Sequence, residues 1–132
     1  VFTGGEPLLQ LDTDLIKELK KFHFEIAIET NGTIKVPEGV DWICVSPKFG
    51  ADLVQLQGNE IKYIVPQRFP IPSKNQILTE LRRYEQMNFQ HFYLQAMDSP
   101  AIQEHLEFAI SLCKERPQWR LSVQNHKHLQ IP

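Results

Sequence analysis

The sequence predicts an α/β fold built on a mostly parallel sheet with helices packed against it, and three observations carry that prediction. Short runs that are apolar throughout, such as Trp42-Ile43-Cys44-Val45, alternate with longer segments whose apolar residues recur at helical spacing. That alternation is the pattern of buried parallel strands joined by helical crossovers. The segment ends carry capping residues and prolines that mark where each element stops. No internal repeat and no linker divides the 132 residues, so residues 1–132 read as a single domain.

The elements follow in order. Val1–Thr3 reads as the end of a first strand, running into Gly4-Gly5-Glu6-Pro7, which cannot be regular structure. Asp12 or Thr13 caps a first helix with Leu15, Ile16, Leu19 and Phe22 on one face. Glu25–Glu29 is a short strand closed by the turn Thr30-Asn31-Gly32, and Trp42–Val45 is a strand stopped by Ser46-Pro47. Residues 46–60 show no helical pattern. Glu60–Val65 is a strand stopped by Pro66, and the proline-rich stretch Pro66–Ser73 is a loop. Ser73 opens a second helix carrying Ile77, Leu78, Leu81 and Tyr84, and His91–Gln95 is the next strand. Ser99 reads as an N-cap with Pro100 at the first helical position. That third helix carries Ile102, Leu106, Ala109, Ile110 and Cys113 and ends before Pro117. Trp119–Val123 is the last strand. The sum is about six strands and three helices. Trp42, Trp119, Tyr63, Tyr93 and most phenylalanines lie in or beside apolar strands and are expected in the core.

Composition narrows the function classes. A net charge of −2 offers no broad basic field for nucleic acid. No apolar run approaches the roughly 20 residues that a membrane span requires. Cys44 and Cys113 are the only cysteines. Without a CxxC pair they read as buried free thiols of a cytoplasmic protein. The chain opens on Val1 rather than Met, with an apolar pair leading directly into a glycine pair, and so reads as beginning inside a domain.

In a parallel sheet, ligands gather at the carboxyl ends of the strands. Five polar clusters fall at such ends: Thr3-Gly4-Gly5-Glu6-Pro7, Glu29-Thr30-Asn31-Gly32-Thr33, Ser46-Pro47-Lys48, Gln95-Ala96-Met97-Asp98 and Gln124-Asn125-His126-Lys127. The glycine turn offers backbone carbonyls and a carboxylate to an ammonium group, which needs three acceptors; a plain strand-to-helix turn is the competing reading. Glu29 suits a ring NH or amino group, or else a surface ion pair. Lys48 suits a carboxylate or ribose, or else solvent. His126 suits a hydrogen bond or proton transfer. Its pairing with His128 in metal chelation is disfavoured, because i, i+2 on a strand point to opposite faces. The carboxylate of Pro132, if terminal, suits two parallel NH donors; otherwise it belongs to a frayed end.

Taken together, Val1-Phe2-Thr3-Gly4-Gly5-Glu6-Pro7 resembles the GGEP motif of the radical S-adenosylmethionine superfamily. Glu29–Thr33, Val45–Lys48, Tyr93–Asp98 and Trp119–Lys127 resemble, in order, the motifs of 7-carboxy-7-deazaguanine synthases. The likeness covers essentially the whole chain. It implies a partial radical-SAM-type (β/α) barrel with helices on the outer face. It implies the ring contraction of 6-carboxy-5,6,7,8-tetrahydropterin to 7-carboxy-7-deazaguanine with release of ammonia, on the route to queuosine and other 7-deazapurines. The cofactors implied are S-adenosylmethionine, a [4Fe-4S] cluster and Mg2+; the partners implied are an electron donor such as flavodoxin and a second copy in a homodimer.

Carried over by motif, Gly5, Glu6, Ser46, Pro47, Lys48, Gln95, Ala96, Met97 and Asp98 contact S-adenosylmethionine, and Thr3, Glu29, His126 and Pro132 contact the pterin. The family's cluster-binding cysteines and its magnesium-binding threonine precede GGEP and have no counterpart here; neither Cys44 nor Cys113 can replace them. Ala96 stands where the family often has proline, and Asn125 occupies a variable position. The competing readings are a glycyl-radical activating enzyme, which the SPK and HK elements disfavour, and a non-catalytic nucleoside-binding remnant.

Overall fold

The computed structural model describes residues 1–125 and residue 129. Among the described residues, five strands form one sheet: β1 Ala27–Thr30, β2 Trp42–Val45, β3 Gln57–Val65, β4 Asn88–Ala96 and β5 Trp119–Ser122. They lie side by side in chain order, and every neighbouring pair is parallel. Each carboxyl end therefore lies on the same rim.

Among the described residues, three α-helices of eight residues or more accompany the sheet: α1 Thr13–Lys21, α2 Lys74–Glu85 and α3 Ile102–Glu115. Local chemistry sets their starts. Asp12 Oδ1 accepts the Leu15 N–H at 2.9 Å, and Lys20 and Lys21 in the last turn of α1 suit the negative end of its dipole. Ser73 and Gln76 form a reciprocal capping box at α2.

All three helices cover one face of the sheet. Successive strand residues point to opposite sides, and the registers align like with like. Ile61, Tyr63 and Val65 of β3 and Phe92 and Leu94 of β4 are buried with Trp119 against Ile77, Leu81 and Tyr84 of α2 and Ala109 and Leu112 of α3. Ile28 packs with Ile16 of α1, Leu11, Ile26 and Val36. Beneath α2 and α3, Glu85 accepts hydrogen bonds from Arg116 and from the buried Trp119 indole N–H at 2.8 Å. The opposite face bears Glu29, Cys44, Glu60, Lys62, His91, Tyr93, Gln95, Arg120 and Ser122 in matching register. A sheet with helices on one face and polar residues on the other is consistent with part of a (β/α) barrel whose interior is lined by the polar face.

Several expectations are corrected. Val1–Thr3 forms no strand of its own; Phe2 makes one parallel bridge to Ile28, so the sheet has five strands among the described residues. The strand expected over Glu25–Glu29 starts two residues later and ends one later, because the Ile26 N–H is taken by the Asp41 carboxylate at 2.6 Å. β3 and β4 each begin three residues earlier than expected, and β5 ends one residue earlier. Ser99 does not cap α3. Its carbonyl accepts from Ile102 N–H and its hydroxyl from Ala101 N–H, making a separate turn with Pro100 before the helix. Trp42 is 39% exposed and stacks on His91 at 6.0 Å. Tyr93 lies on the polar face, opposite to its buried neighbours Phe92 and Leu94. Phe22, Phe24 and Phe69 are exposed as well.

Candidate functional site

The parallel sheet brings the polar clusters of residues 3–7, 29–33, 46–48 and 95–98 to a single rim, as the strand directions require. His126 and Pro132 lie outside the described residues. Gln124 is half-buried beside Gln95 and Ser122, where β4 and β5 end.

The glycine turn is open. Gly4 has φ +111°, which excludes ordinary side chains, and a Cβ at either Gly4 or Gly5 would meet no atom within 4 Å. Gly5 thus answers no packing demand of this chain and leaves its backbone approachable. A cleft of about 380 Å³ runs along this turn, lined by Thr3, Gly5, Glu6 and Gln10 with Phe2, Leu11 and Leu15. Glu6 itself is committed inward. Its Oε1 accepts the Thr30 hydroxyl at 2.7 Å and the Leu8 N–H at 3.2 Å, and its Oε2 accepts the Asn31 N–H at 2.8 Å. The carboxylate therefore ties the glycine turn to the end of β1.

Glu29 lies one residue before Thr30 on the polar face, half-buried and ion-paired with Lys62 of β3. Cys44 is its register neighbour. Burial pushes the Cys44 thiol far above its ordinary range, and a hydrogen bond with Glu60 pushes it the same way. Cys113 is also free, and burial raises its thiol too.

After β2, the Ser46 N–H donates to the Thr30 carbonyl at 2.7 Å. Ser46 and Pro47 are buried, and Lys48 is exposed. At the end of β4, Ala96 is buried on the helix-covered face, so only its backbone faces the rim. The Met97 N–H donates to the Val65 carbonyl at 2.8 Å. The buried His105 of α3 places Nδ1 at 3.1 Å from the Met97 carbonyl and 3.2 Å from the Ser99 hydroxyl. A proton on Nδ1 satisfies that carbonyl and fixes the tautomer.

Three residues of this rim escaped sequence reasoning. Lys62 and His105 act through pairings across elements that no local pattern reveals. Gln67 was legible, since it stands two residues past the end of β3, on the rim where a parallel sheet gathers its ligand groups.

The chain does not fit an iron–sulfur cluster. Its two cysteines lie on opposite sides of the sheet, Cys44 on the polar face and Cys113 on α3 against the helix-side core. Among the described residues, no group of three or more His, Cys, Asp or Glu could hold a metal ion. Nor does any described helix have the length and apolarity to cross a membrane.

No family model matches the chain. Curated relatives do. The chain is 48% identical over 132 residues to a 7-carboxy-7-deazaguanine synthase of Caulobacter vibrioides, and 49% identical over 132 residues to one of Burkholderia multivorans. Each alignment takes in all of this chain and 59% of the relative. A protein of the same name from Bradyrhizobium diazoefficiens is 50% identical over 131 residues, or 99% of this chain and 58% of the relative. The chain thus spans about three-fifths of the length of these relatives and matches a C-terminal part of them.

Proposed function

We propose, from the premise that this chain is kin to the 7-carboxy-7-deazaguanine synthases along its whole length, that it forms the C-terminal part of such an enzyme and supplies the rim that holds S-adenosylmethionine and the pterin. The observation that carries the reading is the identity of close to one half, sustained over every residue of the chain. The reaction is the ring contraction of 6-carboxy-5,6,7,8-tetrahydropterin to 7-carboxy-7-deazaguanine with loss of ammonia, in 7-deazapurine biosynthesis.

The turn at Gly5 offers carbonyl acceptors to the methionyl ammonium. Lys48 offers a cation to its carboxylate or a donor to its ribose. Gln95 and the backbone of residues 96–98 border the same space. Glu6 orders the turn rather than meeting the ligand through its own oxygens. Thr3 and Glu29 face the pterin. Glu29 has one flank neutralised by Lys62, which leaves acceptor capacity for ring NH groups. His126 and Pro132 complete the set by motif. In this reading the [4Fe-4S] cluster and Mg2+ are held by residues of the enzyme outside this chain. A flavodoxin-type donor, a homodimer and a cytoplasmic setting belong to the same reading.

The test is anaerobic assay of the full-length protein carrying this chain, with reductant, S-adenosylmethionine and the carboxypterin. Formation of 7-carboxy-7-deazaguanine and ammonia is expected. Production of 5′-deoxyadenosine with the pterin left untouched overturns the substrate assignment. The 132-residue chain alone, treated with iron and sulfide, is expected to develop no stable cluster absorption.

A further inference from the structure

We infer that Gln67 is a positioning residue for Lys48, holding the loop after β2 in the geometry that presents the Lys48 amine to its ligand. The inference rests on the rim reading above, in which Lys48 meets S-adenosylmethionine, and adds a residue that no motif marks.

The loop needs an external hold. Pairing between β2 and β3 ends at Val45 opposite Ile61, while β3 continues four residues further to Val65. Residues 46–48 therefore leave the ladder. Ser46 still donates to Thr30, but Pro47 has no N–H to offer. A lysine side chain on such a segment retains about 2 kcal/mol of rotamer entropy, and a wandering backbone would add to what binding must overcome.

Gln67 replaces the missing ladder. Its Nε2–H donates to the Pro47 carbonyl at 2.8 Å, and its Oε1 accepts the Phe49 N–H at 2.7 Å. The two bonds flank Lys48 on either side. One amide group thus does what a backbone residue of a parallel strand does, engaging the carbonyl before and the N–H after the residue opposite it. Only a side chain with both a donor and an acceptor can do this. The next residue adds a second hold: the Arg68 guanidinium lies 4.2 Å from the centre of the Phe49 ring. Lys48 is left exposed while the backbone on both sides is fixed.

The experiment compares Lys48→Ala, Gln67→Met and the double variant in the full-length protein, by KM for S-adenosylmethionine and for the carboxypterin. Lys48→Ala is expected to raise the S-adenosylmethionine KM about tenfold, the loss of one charge-assisted contact. Gln67→Met removes both loop bonds and is expected to raise the same KM roughly three- to tenfold, with the pterin KM within about twofold. The double variant is expected to be no worse than Lys48→Ala alone, because a loop that presents no amine has nothing to position. Multiplying effects in the double variant, or an unchanged S-adenosylmethionine KM in Gln67→Met, overturn the inference. An unchanged KM in Lys48→Ala overturns the parent assignment of Lys48 and this inference with it. Gln67→Asn keeps the amide but shortens the arm, and is expected to act as Gln67→Met does; it carries the same test if Gln67→Met fails to fold.

Discussion

Removal of the Glu6 carboxylate separates two accounts of the glycine turn. Glu6→Ala leaves three donors without their acceptor: the Thr30 hydroxyl, the Asn31 N–H and the Leu8 N–H. Thr30 is buried, so its hydroxyl recovers no water, and a buried polar group left unpaired costs about 1–3 kcal/mol. The two backbone donors sit nearer solvent and recover much of their bonding, losing about 0.5–1 kcal/mol each. Glu6→Ala should therefore destabilise the fold by about 2–5 kcal/mol. Glu6→Gln keeps an acceptor for Asn31 and can donate to Thr30, whose hydroxyl can rotate to accept, so it should lose about 1–2 kcal/mol. Urea unfolding followed by fluorescence, with Trp119 buried in the core, reads both values from the midpoint at constant slope. Thr30→Val in a double-mutant cycle should return a coupling of about 1 kcal/mol or more. A Glu6→Ala loss below about 0.5 kcal/mol, or a coupling near zero, would refute the reasoning. It would show a solvated carboxylate free to meet a ligand directly.

Four further outcomes are expected. Gly5→Ala should leave stability within about 0.5 kcal/mol, since its Cβ enters open space, yet weaken S-adenosylmethionine binding measured by titration of the full-length protein; an unchanged affinity removes Gly5 from the site. Gly32→Ala should cost about 1–3 kcal/mol in the same unfolding assay, because φ is +80° and the new Cβ would lie 2.7 Å from Val45 Cγ1 and 3.0 Å from Leu53 Cδ2. Cys44 should resist iodoacetamide at pH 8 until urea opens the fold, and labelling of the native protein at Cys44 would contradict the buried, raised thiol. The Ile26 N–H and then Lys20 hold Asp41 below its ordinary 3.8, so its contribution is present above that pH and lost as pH falls through the lower folded value. Asp41→Asn should therefore be less stable than the parent at neutral pH, with the gap closing at lower pH; a gap independent of pH refutes the assignment.

The order and kind of the elements lay in the sequence because they depend on local rules. Apolar runs at Trp42–Val45 and within Gln57–Val65, the capping residues Asp12 and Ser73 and the stops at Pro66 and Pro117 act over a few residues each. The common rim follows from them, since a parallel sheet must gather its carboxyl ends. Tertiary structure decided which side chains meet there. Glu6 reaches across 24 residues to Thr30, Gln67 across 18 to Phe49, and His105 turns back to Met97. It also decided that Trp42 and Tyr93 face the polar side, for a strand's period assigns alternate residues to opposite faces without saying which face the helices will cover. Hydrophobic period and capping are properties of neighbours in the chain; a hydrogen bond between loops exists only once the sheet has brought their ends together.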